Sequence, residues 1–182
     1  MSNNTTWSID PSHSQVGFAV RHLMISTVKG RFSDFSGTVE LDPTDLTTAS
    51  LSVTINAASI ETGTTDRDNH LRSADFLDVG AFPTLTYVSR RVERSGDEYR
   101  LIGDLTIRDV TREVPLTVSF EGQAQDPWGG QRMAFTAAGK LNRTAFGLTW
   151  NTALEAGGVL VGEDVKLSIE VQLVEANVPA VV

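Results

Sequence analysis

Apolar and polar residues alternate with a period of two along most of the chain. Val16, Phe18 and Val20 share one face, with Gly17, Ala19 and Arg21 on the other. Leu51, Val53, Ile55 and Ala57 alternate with Ser52, Thr54 and Asn56. Tyr99, Leu101, Gly103, Leu105 and Ile107 alternate with a mostly polar set that includes Arg100, Asp104, Thr106 and Arg108. The same rhythm returns in Val114, Leu116, Val118 and Phe120, in Met133, Phe135, Ala137, Gly139 and Leu141, and in Val165, Leu167, Ile169, Val171 and Leu173. Strands that bury one face and wet the other belong to antiparallel sheets, because strands of parallel sheets are apolar on both faces. The class is all-β.

With the extended stretches at 30–42 and 84–89, the pattern predicts about eight strands. They are separated by turn signals such as Ser95-Gly96-Asp97 and Asp126-Pro127-Trp128-Gly129-Gly130. Eight antiparallel strands close into a barrel or stack as a sandwich. Glycines 17, 37, 103, 122 and 139, set inside otherwise good strands, favour a barrel, where bends and bulges let a sheet curl shut. One region, around residues 62–79, lacks the alternation. There Thr65, followed by Asp68 and Leu71, predicts a short capped helix, and a second turn at 73–79. An insertion of this kind lies over the mouth or flank of a barrel.

Composition narrows the chemistry. A chain of 182 residues, 40% apolar and 21% charged, suffices for a single domain over 1–182 that buries about 70% of its extended surface. The 15 Lys+Arg against 23 Asp+Glu give a formal charge of −8, whose field repels phosphate backbones, so nucleic acid is not an expected partner. The absence of cysteine removes disulfides, thiol nucleophiles and thiolate metal sites. No membrane span is expected, since no window approaches 18 uninterrupted apolar residues. The start Met1-Ser2-Asn3-Asn4-Thr5-Thr6 has neither the basic nor the apolar segment of a signal peptide, and a cytoplasmic location is expected.

The candidate reactive groups have plainer readings. His13, His22 and His70 fit no ligand spacing, so no metal is expected. Asp10, His13 and Ser14 supply the residue types of a hydrolytic triad without a nucleophile elbow. Gly157-Gly158 with Gly162 reads as a hairpin turn, since no Gly-Lys-Ser/Thr follows. Asp66, Asp68, Asp75 and Asp78 read as a solvated face, since the ligand order of a calcium loop is missing. Aromatic residues spread over several strands would meet inside a closed barrel, either as a filled core or as the wall around one small ligand.

Several motifs in one order carry a family resemblance. The opening WSIDPSHSQVGFAVRH (7–22), with His13-Ser14 and Arg21-His22, is followed by GRFSDFSG (30–37) and by SIETGTTDRDNHLRSADFLDV (59–79), which holds Arg67, Asp68, His70, Leu71, Arg72 and Ser73. FPTLTY (82–87), GDLTIRDVTREV (103–114) and residues 140–148, with Arg143, Phe146 and Gly147, complete the series. The sequence resembles the YceI-like family of polyisoprenoid-binding, lipocalin-like bacterial proteins over almost its whole length.

That resemblance implies an extended antiparallel barrel with a hydrophobic tunnel for an isoprenoid or similar long-chain lipid such as a quinone. It also implies a homodimer and no catalysis; no cofactor is expected beyond the bound lipid. Phe18 and Val20 share a face and are expected in the tunnel wall. Phe35, Phe76, Phe82, Phe146 and Trp150 join them on family resemblance and aromatic character, with Met24 as an adaptable contact. His22, Arg67, His70 and Arg72 are candidates for the head group, although ion pairs with Asp68 and Asp75 would engage the arginines. An acidic chain would have to gather its few basic residues at one rim to hold a diphosphate, so a neutral head is favoured. Two alternatives stand beside the carrier: a stress-response or structural interaction protein with a filled core, and an enzyme acting on isoprenoids that would draw on Asp10, His13 and His22.

Overall fold

The computed structural model describes residues 3–176. In chain order its strands are β1 (Thr5–Ile9), β2 (Gln15–His22), β3 (Ser26–Phe32), β4 (Phe35–Asp42), β5 (Asp45–Asn56) and β6 (Ile60–Glu61). The helix α1 (Thr65–Arg72) follows, and then β7 (Thr84–Ser95), β8 (Glu98–Ile107), β9 (Val110–Gln125), β10 (Gln131–Asn142) and β11 (Val161–Glu175). Every pairing between them is antiparallel.

Three pairs of consecutive segments act as single staves. β2 pairs with β3 while β1 pairs with β4, so β1–β2 and β3–β4 are two bent staves lying side by side. β6 continues β5 and pairs with β3. With β7 to β11 this makes eight staves in sequence order, and β11 closes the ring on β1 through Trp7↔Glu175 and Ile9↔Leu173 and on β2 through Leu167↔Phe18. The result is a closed eight-stranded up-and-down barrel. Each of the eight stretches read from the alternation falls in a different stave. The stretch 30–42 is not one strand, however. It breaks at Ser33-Asp34, where the stave bends and Asp34 accepts hydrogen bonds from the Asn56 backbone and side chain.

The first stave bends at a 3-10 turn, Pro11–His13. Asp10 organises it: one carboxylate oxygen accepts from the Ser12 backbone and hydroxyl, and the other from Arg132 and from the His13 ring. Arg132 also reaches Asp126, so the bend is fastened to the neighbouring β9–β10 hairpin. A barrel can hold its curvature only if its staves bend at fixed places, and this polar cluster fixes one.

Helix α1 has its cap at Thr64, which makes no side-chain cap bond. The expected capping role of Thr65 is therefore not seen. Asp68 instead reaches back to the Thr62 backbone N–H and hydroxyl. Asp68 is buried, which removes it from the expected solvated acidic face. Residues 73–79 turn as expected, with Ser73 O accepting from Phe76 and Asp78. The core has two parts. Trp7, Val39, Leu41, Leu46, Met133 and Leu173 plug the end of the barrel that holds the β4–β5 and β9–β10 hairpins. A larger cluster lines the middle and the opposite end, under α1.

Candidate functional site: a lined tunnel with one polar rim

Between these two regions the barrel is hollow. A cavity of about 670 Å³ runs from the Leu41, Leu46 and Leu173 plug to the end capped by α1. Its wall is the inward face of the strand alternation: Leu51, Val53, Leu101, Leu105, Leu116, Val118, Leu167 and Ile169 all line it. Phe18 fits because its cross-strand partner is Gly30; a methyl group there would stand 2.4 Å from the ring. Tyr87 lies over Gly103 in the same way, and its hydroxyl donates to Val114 O at 2.8 Å. Burial pushes that phenol pKa well up, so it stays a proton donor.

Polar groups collect at one end. His22, Asp66, Arg67, His70, Arg143 and Trp150 line the cavity there. His70 packs edge-on against Trp150 at 4.6 Å and Phe76 at 5.1 Å, while its Nε2 meets Asp75 at 2.8 Å. Arg67 donates to Thr62 Oγ1 and Thr62 O, each at 2.7 Å. Arg143 is buried, pairs with no carboxylate among the described residues, and donates to four backbone carbonyls, Leu148, Trp150, Val161 and Gly162. Burial lowers its pKa, yet a guanidinium remains charged. It ties the chain after β10 to the start of β11 and so frames the rim.

The tunnel thus brings together Phe18, Val20, Phe76, Trp150, His22, Arg67 and His70. Five other predicted residues stand elsewhere. Met24 is at the exposed tip of the β2–β3 hairpin. Phe35 and Phe146 are buried in the surrounding core and are not part of the cavity wall. Phe82 sits under the Arg108 guanidinium, 5.7 Å from its ring centre. Arg72 donates to Ala58 O, Ile60 O and Asn69 Oδ1, fastening α1 to the chain before it. Neither Arg67 nor Arg72 takes the expected carboxylate partner, because backbone carbonyls left by the end of β6 and the turn before it are nearer. Most of the cavity wall is aliphatic and lies on the inward face of the strand alternation.

Asp10, His13 and Ser14 do not form a triad. Ser12 and His13 converge on the same carboxylate, and Ser14 Oγ accepts from the Gln172 backbone. Among the described residues, no three His, Asp or Glu side chains group as a metal site. Likewise, no described helix is long and apolar enough to cross a membrane.

A closed barrel with an apolar interior and one polar rim defines a class built to enclose a hydrophobic molecule. The YceI-like domain model matches residues 7–173, and the chain belongs to that family. It is 39% identical over 163 residues to a UPF0312 protein of Staphylococcus aureus, covering 89% of this chain and 93% of the relative. A solved YceI protein of Campylobacter jejuni is 31% identical, with a TM-score of 0.73 over 86% of this chain and 90% of that one. A polyisoprenoid-binding domain from Saccharophagus degradans shares the fold at 14% identity, with a TM-score of 0.68 over 95% of this chain and 99% of that one.

Proposed function

We propose that this protein binds a long-chain isoprenoid or similar amphiphilic lipid in the barrel and carries it without transforming it. The observation that carries this reading is the apolar cavity of about 670 Å³ whose charged lining residues gather at one end. An apolar space left unfilled forgoes packing contacts, at a cost that grows with its volume. Water does not fill such a space well, since each ordered molecule needs two to four polar partners. A lipid tail does, at about 0.8 kcal/mol per methylene withdrawn from water. The alternative of a filled core does not suit this barrel.

The rim supports a head group of modest charge. Arg67 and Arg143 are engaged by main-chain carbonyls, His70 is paired with Asp75, and Asp66 adds a negative charge. A polyprenyl alcohol or quinone-type head suits that set better than a diphosphate. The name of the Saccharophagus degradans domain agrees with the isoprenoid class. Native mass spectrometry of protein purified from its own host, followed by solvent extraction, tests the reading. A bound apolar mass that leaves on unfolding is expected. Protein that carries no extractable lipid and does not take up a polyprenyl alcohol would overturn it. The proposal includes a homodimer in the cytoplasm, for which sedimentation velocity and cell fractionation are the checks; a monomer, or protein recovered from outside the cytoplasmic compartment, would remove those parts.

A further inference from the structure

The β2–β3 hairpin is built against its own turn chemistry. His22 O accepts from Ile25 N–H, and the two residues between them, Leu23 and Met24, both have left-handed backbone, at φ 52° and 62°. Turns of this kind favour Asn-Gly, because apolar side chains are strained there and gain nothing. Here the tip reads Leu23-Met24-Ile25, exposed to 37%, 61% and 77%. Two independent anchors hold it: Arg21 Nη2 donates to Met24 O at 3.0 Å, and Leu23 N–H donates to Leu160 O at 2.9 Å. Arg21 and Leu160 both line the cavity. The strained, exposed apolar tip is therefore fixed to the rim of the tunnel. Strain held by surrounding structure at an exposed place is a mark of function.

We infer that Leu23, Met24 and Ile25 insert into the interfacial region of an uncharged lipid bilayer and set the tunnel mouth against it. The inference rests on the lipid-carrier reading and names the surface from which the lipid is taken. A convex three-residue tip is too small for a stable protein interface, which needs about 800 Å² from each partner, but small apolar wedges do suffice for reversible binding at a bilayer surface. A net charge of −8 opposes approach to anionic lipid, so insertion and not charge supplies the attraction. A tail passing directly from bilayer to tunnel never meets water.

The natural lack of cysteine allows a single probe to be placed in the full chain. Ile25→Cys labelled with an environment-sensitive dye should shift to shorter wavelength with phosphatidylcholine vesicles and be quenched by bromolipid. The same dye at Trp128→Cys, on the β9–β10 hairpin at the plugged end, should not respond. The combined variant Leu23→Asn, Met24→Gly, Ile25→Thr keeps the turn, with residues that suit it, and should lose vesicle partitioning at least tenfold while still yielding lipid on extraction. A silent probe at 25, an equal response at 128, binding that needs anionic lipid and vanishes in high salt, or self-association abolished by the variant would each overturn the inference. Vesicle binding by a protein without extractable lipid would leave docking standing and remove the carrier reading alone.

Discussion

Two glycines show how single residues shape the tunnel. Gly30 and Gly103 give up side chains so that Phe18 and Tyr87 can lie across neighbouring strands. Gly103→Ala would bring a methyl to 2.4 Å from the Tyr87 ring; overpacking of this kind costs about 1–3 kcal/mol, readable as a lower urea midpoint. Ala137 lines the cavity, where adding bulk has room. Ala137→Phe should therefore leave the fold at least as stable while lowering the amount of co-purified lipid, measured by extraction; unchanged lipid content would place the ligand elsewhere. At this scale the sequence was legible through parity. Phe18 and Val20, expected in the wall by position, line the cavity, whereas Phe35, Phe82 and Phe146, chosen on aromatic character, do not. Size alone does not say which face of a stave a ring takes.

Among the elements, the bend of the first stave and the latch on α1 depend on charge. Hydrogen bonds from Ser12, His13 and Arg132 outweigh the opposing effect of burial and hold the Asp10 carboxyl well below its usual range; Asp126 is lowered by the Gly130 N–H and by Arg132. A carboxyl whose folded pKa is depressed contributes stability above the unfolded value, about 3.9 for Asp, and loses it as pH falls. Thermal unfolding should thus drop steeply below about pH 4, and Asp10→Asn should flatten that dependence while lowering the melting temperature at neutral pH. The α1 latch lets Asp68 satisfy the Thr62 N–H. Its loss in Asp68→Ala leaves a polar group unpaired at a cost of about 1–3 kcal/mol, and should raise amide hydrogen exchange over residues 62–79 and speed lipid release. The sequence showed a helix here but not its anchoring, because the partner of Asp68 lies before the helix and the carbonyls held by Arg72 lie before that, across a turn whose path only the fold defines.

For the whole molecule, the proposed lipid would make ligand and fold one thermodynamic system. Occupancy at 100 times Kd adds about 2.7 kcal/mol to unfolding, so delipidated protein should melt several degrees below the protein as purified, and added polyprenyl alcohol should restore it. Equal melting temperatures would count against a filled tunnel. The sequence by itself determined the architecture. Period-two alternation specifies which side chains face inward, and eight such stretches, one per stave, leave few ways to bury those faces; the ordered motifs fixed the family. Tertiary structure alone decided what the inside contains. Closure of β11 on β1 and β2, the bends at Pro11–His13 and Ser33-Asp34, and the pairing of glycine with aromatic residue across strands set the radius. Whether inward side chains meet or leave a space between them depends on that radius, a property of long-range register that no local pattern encodes. The same closure carried the Leu23-Met24-Ile25 tip to the rim formed by α1 and the start of β11, because alternating staves must deliver their turns to alternate ends.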